Sequence, residues 1–335
     1  MNDDDRIGTT RTSQRGSRGC LQWLGVGMAS LLGLLLIGYI YEPIAEAADA
    51  KAYPPPGQLV DVGGYRLHIN CIGTGIPTVV IGAGLGDWST TWGGYVQPEV
   101  AKTTRVCTYD RAGMGWSEPG PLPRDAAQNA KELHTLLQNA NIPGPYVMVG
   151  HSLGGLVVRV FVHDYSSEVI GAVLIESMNP KQLTQSPTVQ SQSESRSQPF
   201  SFQAMLARFG VARLLVKLPG IAPSVPPSEA AYYPLYVRPQ NFQATDNESQ
   251  GMPAAGVQAA AVKNFGDLPL IVLTARLDNN PPNWQAWQTE LLQLSSNSQQ
   301  LFAENSGHNI QVEEPDAAVT AILQMVQQVR QAVKK

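Results

Sequence analysis

From Cys20 to Tyr41 the chain is apolar for 22 residues, interrupted only by Gln22 and Ser30. As a helix that run reaches about 33 Å, enough for a hydrocarbon core of about 30 Å. The preceding residues, 1–19, are polar and carry Arg6, Arg11, Arg15 and Arg18, whereas Glu42, Glu46 and Asp49 follow. This bias predicts a transmembrane anchor over 20–41, with 1–19 as a cytoplasmic tail and the remainder outside the cytoplasm. A cleaved signal peptide is the alternative, because Ala45-Glu46-Ala47 fits a small-x-small cleavage site and would leave a secreted form. Residues 42–57, ending in Tyr53-Pro54-Pro55-Pro56-Gly57, read as a Pro-rich stalk.

The periodicity then alternates between 2.0 and 3.6. Leu59–Val62 and Tyr65–Cys71 predict a hairpin turned at Gly63-Gly64. Short β-branched runs at Thr78–Ile81, Arg105–Tyr109, Tyr146–Val149, Val169–Ile175 and Leu268–Thr274 read as strands, and Gln300–Ala303 is strand-like. Between them, Asp125–Ala140 and Leu156–Tyr165 read as helices, and a last helix runs from about Pro315. Such alternation predicts a mostly parallel sheet covered on both faces, within a domain spanning 58–335. It stops over about 179–266, an insertion expected to cap the site. There Gln182–Gln198 is rich in Gln and Ser and reads as a loop. Gln203–Leu218 reads as an amphipathic helix, with Met205, Phe209, Ala212 and Val216 opposed to Arg208, Arg213 and Lys217.

Composition narrows the function. Lys and Arg number 23 against 27 Asp and Glu, and the net charge of −4 argues against a nucleic-acid partner. Three cysteines are too few for a disulfide scaffold. No His, Asp or Glu cluster has metal-ligand spacing, so neither metal nor other cofactor is expected. Nothing in the pattern points to a protein partner.

The chemistry concentrates in Gly150-His151-Ser152-Leu153-Gly154, where a β-rich strand enters and an apolar helix leaves. A serine at the apex of so tight a strand-to-helix turn exposes its hydroxyl beside a helix N-terminus, and glycines on either side leave room for the turn. The hydroxyl needs a base. Of five histidines, His68 lies in the hairpin, His134 and His163 on helices and His151 inside the turn. His308, in Ser306-Gly307-His308-Asn309, precedes the last helix on a separate loop and is the expected base.

Gly150–Gly155 with Ser306-Gly307-His308 resembles the α/β-hydrolase fold superfamily, over Tyr53–Val329. Tyr53–Gly57, Gly82-Ala83-Gly84-Leu85-Gly86 and the stretch Tyr109–Ser117 resemble a bacterial membrane-anchored subgroup of serine esterases and lipases. The resemblance implies the α/β-hydrolase fold: an eight-stranded, mostly parallel sheet, helices on both faces, a helical cap, and a Ser-His-acid triad. Its acid is either Glu176 or Asp278. Glu176 is preferred, because a charge ending an apolar strand is costly without a partner, whereas Asp278 sits among Asn and Pro in a loop suited to solvent. The resemblance also implies an oxyanion hole from the backbone N–H groups of Leu153 and Leu85. Trp88 and Trp92 follow that loop, and one or both are candidates to wall the substrate pocket. Asp110 and Arg111 read as a structural turn. Cys71 and Cys107 fall on strands that the fold places side by side, where a disulfide is possible in an exported domain.

The expected reaction is hydrolysis of a small-molecule ester through an acyl-enzyme. An acyltransferase or cofactor-free perhydrolase using the same triad is the alternative, and a membrane-tethered binding protein that has lost turnover is the alternative of another class. Epoxide hydrolase and haloalkane dehalogenase chemistry on this fold needs a carboxylate where Ser152 stands.

Overall fold

The computed structural model describes residues 15–185, 202–216, 227–277 and 283–333. Eight strands form one sheet: β1 Gln58–Asp61, β2 Arg66–Ile72, β3 Thr78–Gly82, β4 Val106–Tyr109, β5 Tyr146–His151, β6 Val169–Ile175, β7 Leu270–Ala275 and β8 Ser298–Ala303. Their spatial order is β1-β2-β4-β3-β5-β6-β7-β8. β1 with β2 and β2 with β4 are antiparallel; every other pair is parallel. The expected fold is therefore present.

The central strands are apolar without a break because both of their faces are covered. Val80, Met148, Leu174 and Val272 turn to one face, where they pack with Leu133 and Leu137 of the helix Ala126–Asn139 and Leu156 and Phe161 of the helix Leu153–Asp164. Their neighbours Val79, Ile81, Val147, Val149, Val173 and Ile271 turn to the other, against Val96, Val100 and the helix Pro315–Val333. Asp125 caps the first of these helices, accepting the Gln128 N–H at 2.9 Å.

Three expectations are corrected. The N-terminal helix does not end at Tyr41 but runs from Arg15 to Ala52, so the expected stalk over 42–57 is extended only from Tyr53. Acidic residues that resemble a boundary are instead paired, Glu42 and Asp49 both with Arg213 of the insertion. Second, Gln203–Leu218 is not one helix. Phe202–Arg208 and Val211–Leu215 are separate, broken at Gly210, whose φ of +70° suits glycine. Burial departs from the expected faces at two positions, Arg213, which is buried, and Met205, which is exposed. Third, the insertion holds a 23-residue helix, Pro239–Ala261, which no clear apolar stripe announces. Pro180–Gln185 is helical at the start of the expected Gln182–Gln198 loop; most of that loop lies outside the described residues.

Cys71 and Cys107 face each other in the β2–β4 register and are disulfide-bonded. The bond closes a sequence separation of 36 residues, for which chain entropy predicts about 3–4 kcal/mol of stabilisation. Non-reduced protein should be lighter than the reduced form by the mass of two hydrogens on intact-mass measurement. The Cys71→Ser/Cys107→Ser variant should lose about 3–4 kcal/mol on denaturant unfolding.

Candidate active site

The site begins with a backbone shape. Ser152 has φ +50° and ψ −117°, a conformation costly for a residue with a side chain, at the point where β5 meets the helix Leu153–Asp164. Gly150 and Gly154 are dictated by space. A Cβ at Gly150 would lie 2.6 Å from the Gly154 carbonyl oxygen, and one at Gly154 would lie 2.5 Å from that of Gly82. Three backbone bonds pin the turn. The Ser152 N–H donates to the Ile175 carbonyl at 3.3 Å, and the Ser152 carbonyl accepts the N–H groups of Gly155 and Met178, each at 3.0 Å.

His151 and Ile175 are paired across β5 and β6, so Ser152 and Glu176 leave adjacent strand ends side by side. Glu176 also sits at positive φ, +44°, and is fully buried. One carboxylate oxygen accepts the Ala275 N–H at 2.8 Å, and the other lies 3.3 Å from His308 Nδ1. That contact leaves Nε2 as the nitrogen available for chemistry. A second brace comes from the elbow, where His151 Nε2 donates to the His308 carbonyl at 2.9 Å. Trp284 meets the His308 ring edge-on, with centroids 5.6 Å apart. Among the described residues the Ser152 hydroxyl makes no hydrogen bond, and the His308 side chain makes its contact through Nδ1, to Glu176. Asp278 lies outside the described residues.

His151 differs from His308. Burial, and then the neighbouring His308 ring, hold its pKa down to about 3. It is neutral with the proton on Nε2, and Nδ1 is a buried acceptor without a partner. That nitrogen faces Gly84, where a Cβ would come within 2.9 Å of it and 3.3 Å of the Ser152 Cβ. Gly84 is thus glycine so that its loop can close onto the serine.

The loop after β3 is held from behind by Arg111. Its guanidinium donates to the carbonyls of Ala83 and Gly84, each at 2.6 Å, and pairs with Glu248 on the insertion helix Pro239–Ala261. Both side chains are buried. Burial alone would lower the Arg111 pKa, but the carboxylate of Glu248 overrides it and raises it. The Gly84 carbonyl and the Leu85 N–H belong to one trans peptide, so they point in opposite directions. With the carbonyl fixed on Arg111, the Leu85 N–H faces away from the guanidinium. Leu153 opens its helix, and its N–H has no intrahelical acceptor. The expectation of a purely structural turn is therefore incomplete. Asp110 does hold the turn, accepting N–H groups of Ser89 and Trp116 and facing the His68 ring, but Arg111 orients the neighbouring loop.

The tryptophans are a correction. Trp88 and Trp92 are both fully buried and pack among other side chains, as core residues do. Trp88 packs on Tyr236, with centroids 4.2 Å apart, and on Trp116. Trp92 belongs to the core and touches the His151 ring edge-on. Reading the sequence alone misses Glu248 and Trp284. The one usable signal for Glu248 was a carboxylate amid the small residues of the insertion.

A sequence profile of the alpha/beta hydrolase family matches residues 79–322. Among curated relatives, a probable transporter of Hormonema carpetanum is 36% identical over 127 residues, 36% of this chain but only 18% of that protein. The chain thus spans under a third of that relative's length. An uncharacterised Bacillus subtilis protein, YqjL, is 24% identical over 249 residues, 73% of this chain and 81% of the relative. Of solved structures, a thermophilic esterase from Thermogutta terrifontis has a TM-score of 0.62 and 20% identity, covering 81% of this chain and 98% of its own. An epoxide hydrolase variant from Vigna radiata has a TM-score of 0.66 and 15% identity, with coverage of 81% and 98%.

Two outcomes follow. Glu248→Gln leaves a buried guanidinium without its counter-charge and should cost about 3–5 kcal/mol on denaturant unfolding. His151 takes up its proton only in the unfolded chain between pH 6.5 and about 3, so it subtracts stability as pH falls through that window. Replacing it by Gln should flatten the pH dependence of unfolding there by up to about 1.4 kcal/mol per pH unit. An unchanged slope would mean that His151 titrates normally.

Proposed function

The chain belongs to the alpha/beta hydrolase family, and from that premise we propose that it is a serine hydrolase cleaving a small-molecule carboxylic ester through an acyl-enzyme on Ser152. The observation that carries the reading is the seating of His308, with Nδ1 against buried Glu176 and its backbone braced by the elbow histidine. In this reading Glu176 orients the imidazole, and His308 Nε2 removes the Ser152 proton as the hydroxyl attacks the ester carbonyl. The N–H groups of Leu153 and Leu85 stabilise the resulting oxyanion, each worth about 100- to 1,000-fold in rate. The same imidazole protonates the departing alkoxide and then activates the water that releases the acid.

A hydroxyl at the elbow favours acyl transfer over the epoxide opening named for the Vigna radiata neighbour, since a carboxylate is expected at that position for the latter. The Thermogutta terrifontis neighbour, an esterase, agrees with this choice. We further propose that the apolar N-terminal helix anchors the chain and that the hydrolase domain is extracytoplasmic. Residues 22–52 form a helix long and apolar enough to cross a membrane, and a disulfide on the adjoining sheet suits an oxidising compartment.

A fluorophosphonate probe should label the wild type and not Ser152→Ala; a folded wild type that fails to react would overturn the proposal. Glu176→Gln should lower kcat by about 10⁴-fold, as loss of the orienting carboxylate does elsewhere, with Asp278→Asn near wild type. The opposite ranking would move the acid to Asp278.

A further inference from the structure

The two short helices Phe202–Arg208 and Val211–Leu215 expose four large apolar side chains beside the polar Gln203 and Arg208. Towards the protein they bury Ala204, Ala207 and the charged Arg213. Towards the outside they present Phe202, Met205, Leu214 and Leu215, exposed by 65%, 43%, 67% and 42%. A helix that meets only water on its outer face carries polar and charged residues there.

Their position explains the exposure. The N-terminal helix turns Leu35, Gly38, Glu42, Ala45 and Asp49, at alternating spacings of three and four, to one less exposed face. At Gly38 the approach is so close that a Cβ would lie 2.0 Å from the Phe209 carbonyl oxygen. Tyr39 and Phe209 pack ring against ring, 6.1 Å between centroids. One turn on, Arg213 reaches Glu42 at 2.8 Å and Asp49 at 2.7 Å. These contacts fix the depth of the insertion along the helix. A span of about 20 residues beginning at Leu21 ends near Ile40, so Gly38 lies roughly 3 Å inside its end. Phe209, seated on Gly38, then lies at the boundary of the hydrocarbon. Arg213, on Glu42 and Asp49 farther along the helix, places Leu214 and Leu215 on the headgroup side of that boundary.

We infer that the outward face of these helices is a membrane-docking surface occupied by the bilayer leaflet from which the anchor emerges. The inference rests on the anchor reading given above. Phe202, Met205, Leu214 and Leu215 enter the acyl–headgroup boundary, and exposed Arg208 extends to the phosphates. The same face is thereby continuous with the exposed apolar side of the anchor, Leu36, Ile37, Ile40 and Ile44. The insertion helix that carries Glu248 packs against this segment, which sets the catalytic loop beside the membrane. Esters already dissolved in the bilayer are the substrates such a placement serves.

The test uses the full chain in phosphatidylcholine–phosphatidylglycerol vesicles, in a Cys20→Ser background, with nitroxide labels at Met205→Cys, Leu214→Cys, Leu31→Cys and the exposed body position Lys102→Cys. Collisions with oxygen and with a water-soluble nickel chelate are measured by electron paramagnetic resonance. The proposal expects labels at 205 and 214 to keep oxygen collisions and lose the nickel collisions seen at 102. Nickel access equal to that at 102, with 31 still shielded, would overturn the docking surface and leave the anchor standing. Loss of both collision types at 205 and 214 would assign the face to protein, a second copy or another part of the chain, and would also overturn it. A label at 31 open to nickel would overturn the anchor reading and the inference together.

Discussion

The molecule is organised around a turn that no side chain other than hydrogen can line at 150 and 154. The Gly150 and Gly154 backbones approach neighbouring carbonyls at distances that leave no room for a Cβ, and this closeness holds Ser152 at positive φ. Strain of this kind costs roughly 1–3 kcal/mol and persists only where the surroundings over-determine it. Here they do. The sheet on both sides is buried, Ile175 and Met178 bond to the Ser152 backbone, and Gly82 and Ala83 close from β3. The large two-sided core thus supports one costly residue and the N–H groups beside it.

From that turn the site is built outward by polar groups, each buried with a partner. Glu176 holds the strand end of β7 through Ala275 and faces His308; His151 spends its one proton on the His308 carbonyl. Arg111 is the hinge of the arrangement, joining the loop carbonyls of Ala83 and Gly84 to Glu248 of the cap helix. A charge pair in such a place contributes little net stability compared with apolar packing, and either member alone is expensive. What it does supply is geometry: the Gly84–Leu85 peptide is held with its carbonyl on Arg111 and its N–H turned away, and the same guanidinium ties that loop to the cap helix.

Features that depend on local chain chemistry were legible in the sequence. The strand–Gly-x-Ser-x-Gly–helix passage needs only neighbouring residues to make sense, and chain order with a separate loop singled out His308. Glu176 was reachable because a carboxylate ending an apolar strand demands a partner. The parts that were not legible depend on contacts distant in sequence. Glu248 meets Arg111 across 137 residues, and a carboxylate amid small residues says nothing of which partner it has. Glu42 and Asp49 looked like the end of a helix because Arg213, their partner, lies far along the chain. Within Gln203–Leu218, Arg213 was placed on the polar face because apolar periodicity cannot show the carboxylates of Glu42 and Asp49 that receive it. Trp88 and Trp92 follow the loop after β3 in sequence, and their indoles turn back into the body, where large apolar area is most favourably placed.

The central claim is a covalent bond between substrate and Ser152 that His308 makes possible. Acid quenching during the first turnover of an activated nitrophenyl ester, followed by peptide mass spectrometry, reads that bond directly. The account predicts an acyl mass on the peptide containing Ser152, matched by an equal burst of nitrophenolate, with both lost in His308→Ala. Turnover that continues with Ser152 unmodified, or an acyl group found on another residue, would contradict it.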